Sequence, residues 1–152
     1  MPIKKISAKI YPYSPWIYAD PRTHKAVQVI DRPTVFILIN NTKAHLISKT
    51  PVKCLVDSGA DRNLFPASSG EAVGIKIKSG ERRVFGGIGD IKIEAWSHKV
   101  VLHVVNDFKI STQVNFSYNQ EVPLLGMDGF FNKFSKITFD EDRRCLVIQG
   151  RI

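Results

Sequence analysis

An apolar run that ends on an acid limits this chain more than any other stretch. Val52, Cys54 and Val56 alternate with Lys53 and Leu55 between Pro51 and the pair Ser58-Gly59, the pattern of a short strand entering a tight turn. Asp57 sits at that corner. Gly59 lets the backbone turn sharply and leaves room for a second chain or a ligand, while the Ser58 hydroxyl can fix the turn. A carboxylate held there is rigid and partly desolvated. Taken alone, Asp-Ser-Gly is an ordinary surface turn, because these residue types supply a large share of all turns. The rest of the chain has to decide.

With 152 residues, 43% of them hydrophobic and 24% charged, the chain suits a single folded domain rather than a disordered one. No apolar run approaches the ~20 residues that span a bilayer, so no membrane partner is expected. Met1-Pro2-Ile3-Lys4-Lys5 carries no secretory pattern, and the expected location is cytoplasmic. Cys54 and Cys145 lie in separate apolar runs far apart in sequence and read as small buried hydrophobes with reduced thiols. His24, His45, His98 and His103 lack the short spacings of zinc ligands, so neither a metal nor a cofactor is expected.

The net charge of +8 is uneven: residues 1–53 hold nine Lys or Arg against two Asp or Glu, and residues 54–152 hold thirteen against twelve. The basic third also carries Tyr11, Tyr13, Trp16 and Tyr18 interleaved with Pro12, Pro15 and Pro21, a texture hostile to helix and to central strands. Residues 1–32 therefore read as an extended arm or irregular cover. Basic residues mixed with aromatics can bind single-stranded nucleic acid, but these lysines are scattered, and packing of the aromatics onto the domain is the better reading.

From Ala26 onward the texture is β. Val35 to Ile39, a turn at Asn40-Asn41-Thr42, Leu46-Ile47 and the run at 52–56 fit an antiparallel meander. Ala67 to Val73 predicts one helical turn ended by Gly74, and Ile75 and Ile77 alternating with Lys76 and Lys78 predict a half-exposed strand. Arg82 to Phe85 and Ile91 to Trp96 read as the arms of a hairpin tipped by Gly86, Gly87, Ile88 and Gly89. Val100 to Val105 and Ile110 to Phe116 predict two further strands. Met127 to Phe134 predicts a short helix whose Phe130, Phe131 and Phe134 face the core. Lys136 to Phe139 and Cys145 to Ile148 predict the last two strands, joined by an acidic turn at 140–143.

Three motifs in order now change the odds on Asp57: Leu55-Val56-Asp57-Ser58-Gly59-Ala60, then Phe85-Gly86-Gly87-Ile88-Gly89, then Val122-Pro123-Leu124-Leu125-Gly126. Over residues 33–150 this set resembles the retropepsins, the single-lobed aspartic proteases of retroviruses, retroelements and some bacteria. The resemblance implies an all-β, single-lobed acid-protease-like barrel over 33–152, with a flap hairpin and one short C-terminal helix. It implies peptide hydrolysis on a polypeptide substrate, with Asp57 as acid–base group, Ser58 bonding across a dimer and Gly59 accepting from substrate backbone. Asp61 then holds substrate main chain or the partner subunit. Val56, Ala60, Phe85, Ile88, Val122 and Leu124 line apolar pockets, and Gly86, Gly87 and Gly89 bring flap N–H groups to the peptide. Asp90 departs from the glycine common at its place in the family, and Arg62 and Met127 depart from polar or oppositely charged residues often found at theirs.

Aspartic proteolysis needs two carboxylates that share a proton, and this chain has one Asp-Ser-Gly. A homodimer is therefore expected, with the strand at Cys145 to Ile148 as the candidate isologous contact. Two other classes stay open: a catalytically silent peptide-binding or dimerisation module on the same fold, and, less favoured, a basic nucleic-acid binder using residues 1–53.

Overall fold

The β-branched and aromatic runs become strands, and the Gly, Pro and Asn clusters between them become turns. The computed structural model describes residues 7–86 and 89–151. Strand β1 (Ala8–Pro12) and the hairpin β2 (Ser14–Ala19) and β3 (Ala26–Arg32) come first. They are followed by β4 (Thr34–Asn41), the short β5 (Leu46–Ile47) and β6 (Val52–Val56). β7 (Leu64–Pro66) runs into a single helical turn, α1 (Ala67–Glu71), which ends where the Gly74 N–H bonds the Glu71 carbonyl at 3.0 Å. β8 (Glu81–Gly86), β9 (Lys92–Val104), β10 (Phe108–Ser117), β11 (Leu124–Leu125), β12 (Lys136–Asp140) and β13 (Cys145–Gln149) complete the order.

Six of these strands close into a barrel in the order β4-β6-β11-β7-β10-β9, the ring being sealed by antiparallel pairing of β9 with β4. Closure removes the exposed edges that an open sheet presents. The class is thus all-β and single-lobed, as expected. Its core shows the period of two that strands impose: along β4, Val35, Ile37 and Ile39 are at most 1% exposed while Phe36 between them is 47% exposed. Phe65 and Phe116 meet edge to face at 6.2 Å, and Phe130 and Phe134 do so at 5.0 Å. Burying each such ring stabilises the fold by roughly 1.5–3 kcal/mol.

Four local expectations give way. Met127 to Phe134 holds only a 3-10 turn at Phe131–Lys133. Gly129 has φ +116°, outside helical space, and Asp128 lies in a parallel bridge opposite Arg62. Ile75 to Lys78 is not a strand; the alternation is real, since Ile75 and Ile77 are buried and Lys76 and Lys78 exposed, but the segment closes a 3-10 turn at Ile77–Ser79. Val100 to Val105 is not separate from the hairpin arm before it, because β9 runs unbroken for 13 residues.

The fourth concerns the termini. β13 lies between β1 and β12, paired antiparallel with both (Ala8↔Gln149 and Lys136↔Gln149). Both of its backbone edges are used within one chain, so Cys145 to Ile148 has none to offer a second copy. The amino-terminal stretch supplies one of those neighbours, and its prolines Pro12 and Pro15 fall on edge strands, where a missing N–H costs nothing.

Candidate active site

Asp57 stands where β6 leaves the barrel wall. Its N–H donates to the Leu125 carbonyl at 3.0 Å, its carbonyl accepts the Ala60 N–H at 3.2 Å, and its Oδ1 accepts the Gly59 N–H at 2.8 Å. The turn therefore folds back on its own carboxylate. A Cβ on residue 59 would lie 3.2 Å from Asp57 Oδ1, so glycine keeps the carboxylate in place. Beneath the turn, Cys54 is fully buried, and burial pushes its thiol well above the ordinary thiol range. A neutral thiol is a poor nucleophile.

The loop is braced by the segment that follows β11. β11 lies parallel to β6 with Leu124 opposite Leu55 and Leu125 opposite Val56, and the Leu55 N–H reaches the Pro123 carbonyl at 2.9 Å. Beyond it, the Met127 N–H donates to Ala60 O at 2.9 Å and the Asp128 N–H to Asp61 O at 2.8 Å. Gly126 makes this crossing possible: a Cβ there would sit 2.5 Å from the Arg62 carbonyl oxygen, closer than atoms pack. The Leu-Leu-Gly motif is thus the second wall of the Asp57 turn.

Of the other residues expected at the site, Ser58, Gly59 and Asp61 are exposed on the loop and Ala60 is half-buried beside them. Val122 and Leu124 are half-buried at the crossing, and Val56 is 2% exposed, within the core under the turn. Phe85 and Gly86 end β8, whose pairing with β9 (Phe85↔Ile93, Gly86↔Lys92) forms the hairpin, and Gly89 lies past its tip. Gly87 and Ile88 lie outside the described residues.

Two parts of the site carried no motif. Asn63, fully buried, accepts the Gly126 N–H on Oδ1 at 3.0 Å and donates Nδ2 to the Gln113 carbonyl at 3.1 Å. Its own carbonyl accepts the Asn115 backbone N–H at 3.0 Å and Nδ2 at 2.9 Å. The one available signal was an amide in a run otherwise apolar, Asn63-Leu64-Phe65, since a buried Asn needs partners. The second part is the Arg62–Asp128 ion pair at 3.5 Å, which lies across the same crossing. Arg62 and Met127, two of the three departures named above, flank Gly126, with the Arg62 carbonyl packed against it.

No family model and no curated protein matches the chain. Solved structures do. The chain is similar over 99% of its length to a retropepsin-like aspartic protease from Rickettsia conorii, covering 98% of that chain at 14% identity and a TM-score of 0.58. It is similar over 81% of its length to the retroviral protease-like domain of Ddi1 from Leishmania major, covering 96% of that chain at 17% identity and a TM-score of 0.55. EIAV protease complexed with the inhibitor HBY-793 matches 63% of this chain and 82% of its own at 25% identity and a TM-score of 0.47. The first two define the architecture: the chain has the single-lobed, retropepsin-like fold.

Proposed function

We propose that the chain is an aspartic endopeptidase that works as a homodimer, the two Asp57 carboxylates holding one proton and one water between them. The observation that carries this reading is the Asp57 turn itself, fixed by Gly59 through Oδ1 and walled by Leu125-Gly126. Among the described residues, Oδ2 of Asp57 has no hydrogen-bond partner within the chain, which suits an oxygen that faces water. In the reaction, the charged carboxylate takes a proton from the water as its oxygen attacks the peptide carbonyl carbon, and the protonated one donates to the carbonyl oxygen. Proton transfer to the amide nitrogen then breaks the C–N bond. One such acid per chain makes a second copy a requirement of the chemistry.

In this reading Ser58 and Gly59 meet their counterparts and the substrate backbone. Ala60, Phe85, Val122 and Leu124 shape apolar pockets, and the β8–β9 hairpin with Gly86, Gly87, Ile88 and Gly89 is the flap. Two buried, unpaired thiols support a reducing, cytoplasmic setting. The test is digestion of a peptide library by wild type and Asp57→Asn, which is expected to lower cleavage about a hundredfold or more. Cleavage retained by Asp57→Asn overturns the assignment. Peptide binding without cleavage by wild type replaces it with a silent peptide-binding module.

A further inference from the structure

Away from Asp57, two clefts on the barrel flank share Lys43 and Lys99 as walls. The larger, about 610 Å³, adds Arg62, Lys133 and Asp128; the smaller, about 280 Å³, adds Lys76 and His98. Together they form one trough with five permanent cations and a single carboxylate. That carboxylate is spoken for, because Asp128 pairs with Arg62 at 3.5 Å. Among the described residues, Lys43, Lys76, Lys99 and Lys133 have no carboxylate within ion-pairing distance, and all four are exposed.

These lysines come from four separate places: the turn after β4, the segment after α1, strand β9 and the 3-10 turn at Phe131–Lys133. Bringing four like charges to one concavity raises the energy of the free protein and focuses a positive field there. The larger cleft is also within the size range of ligand sites. We propose that this trough is a binding site for an acidic polypeptide segment. Building on the endopeptidase reading, the segment is a part of the substrate lying beyond the peptide bond that is cut.

Two observations select polypeptide over single-stranded nucleic acid. The walls of both clefts contain no Phe, Tyr or Trp, so successive bases would lack the row of aromatic platforms that single-strand binders use. Three aromatics of the amino-terminal stretch already carry one of the protein's own cations, Lys53 at 5.3 Å from the Trp16 ring, Arg32 at 5.7 Å from Tyr18 and Arg144 at 5.2 Å from Tyr13, and Tyr11 is buried. The trough offers instead exposed Ser111 and Gln113 beside Val101, which suit peptide amides and aliphatic side chains. Its connection to the catalytic loop is covalent. Arg62 follows Asp61 directly, so the trough begins where the Asp57 loop ends.

The test uses full-length Asp57→Asn protein and fluorescence anisotropy of three probes: a labelled Glu- and Asp-rich dodecapeptide, its Gln and Asn counterpart, and an oligo-dT of equal length. The acidic peptide is expected to bind, the neutral one not, with affinity falling as salt rises. Lys43→Glu with Lys99→Glu should weaken binding by about tenfold or more, and Lys43→Gln with Lys99→Gln by less; thermal unfolding reports whether each variant is folded. No affinity for the acidic peptide, or unchanged affinity in folded variants of both kinds, overturns the site. Tighter binding of oligo-dT through the same lysines overturns the polypeptide assignment. Because Asp57 is already replaced, these readouts do not depend on cleavage, and their failure leaves the endopeptidase reading to its own test.

Discussion

Asn63 Oδ1 accepts the Gly126 N–H at 3.0 Å, a bond between two buried groups 63 residues apart in sequence. It ties the exit of the Asp57 loop to the segment that walls it, and the same amide donates to the Gln113 carbonyl on β10. Asn63→Ala would leave the Gly126 N–H buried without a partner, worth about 1–3 kcal/mol, and would remove the bond to the part-buried Gln113 carbonyl. The expected loss is about 2–4 kcal/mol in urea unfolding. Asn63→Asp keeps the acceptor but sets a buried carboxylate oxygen against the Gln113 carbonyl, so it should destabilise at least as much as Ala near neutral pH. A loss below about 1 kcal/mol for Asn63→Ala would mean the crossing is held by other contacts.

Gly126→Ala separates catalytic geometry from stability. The added methyl meets two backbone oxygens of the Asp57 loop, Arg62 O at 2.5 Å and Ala60 O at 2.8 Å, and neither can move without moving the Asp57 turn. Overpacking of this kind costs about 1–3 kcal/mol, while a displacement near 1 Å at the reacting groups can cost about a hundredfold in rate. The variant should therefore remain folded at 25 °C and lose kcat far more than its melting temperature implies. Wild-type kcat in a folded Gly126→Ala protein would detach this glycine from the site.

What could be read in advance follows the range of the interaction involved. β6 and its turn were legible because period two, Pro51 and Gly59 are all local. The buried faces at Ile75 and Ile77 were legible too, although the strand expected there was not formed; alternation reports burial, while a strand also needs a neighbour to pair with. The helix expected at Met127 failed for a long-range reason. Asp128 is held opposite Arg62 in a parallel bridge and Gly129 turns at φ +116°, a placement that no window around residue 127 reveals. Asn63 was missed likewise, since its partners come from Gln113, Asn115 and Gly126. The same holds for the lysine trough, which joins Lys43 from the basic amino-terminal part to Lys76, Lys99 and Lys133 from the remainder, where charge counting had found near balance.

Tyr13 gives the fold a defined alkaline limit. Its hydroxyl donates to Glu141 at 2.9 Å, and burial first, with that bond second, pushes its pKa from 10.0 up to about 12. A phenol whose pKa is higher folded than unfolded stabilises the fold fully below the unfolded value, and that contribution is lost as pH rises through the folded one. Stability should fall between about pH 10 and pH 12. Tyr11, bonded to Asp107 at 2.8 Å, is shifted in the same direction, so Tyr13→Phe should make the fall shallower without abolishing it. Denaturant titrations at a series of pH values measure this; an identical slope for wild type and Tyr13→Phe would refute it.

Assembly gives the last prediction, because the proposed chemistry places half of the catalytic pair on each chain. Specific activity should fall on dilution as dimer gives way to monomer, and an inhibitor that bridges both Asp57 carboxylates should restore the dimer by mass action. Adding excess Asp57→Asn chains to wild type should suppress activity, since a mixed dimer keeps one reactive carboxylate and cannot share a proton between two. The contact is not expected through β13, whose edges are filled by β1 and β12. The free edges of that sheet belong to β1 and β12, and the residues of β12 opposite Val147 and Gln149 bond inward to β13, so a proline at the outward-facing Phe139, Phe139→Pro, should shift the dilution midpoint if β12 pairs with its copy. Sedimentation and peptide cleavage, followed over the same dilution series, decide the matter. Constant specific activity from a species that sediments as a monomer would overturn the dimer and, with it, the reading of Asp57 as half of a symmetric pair.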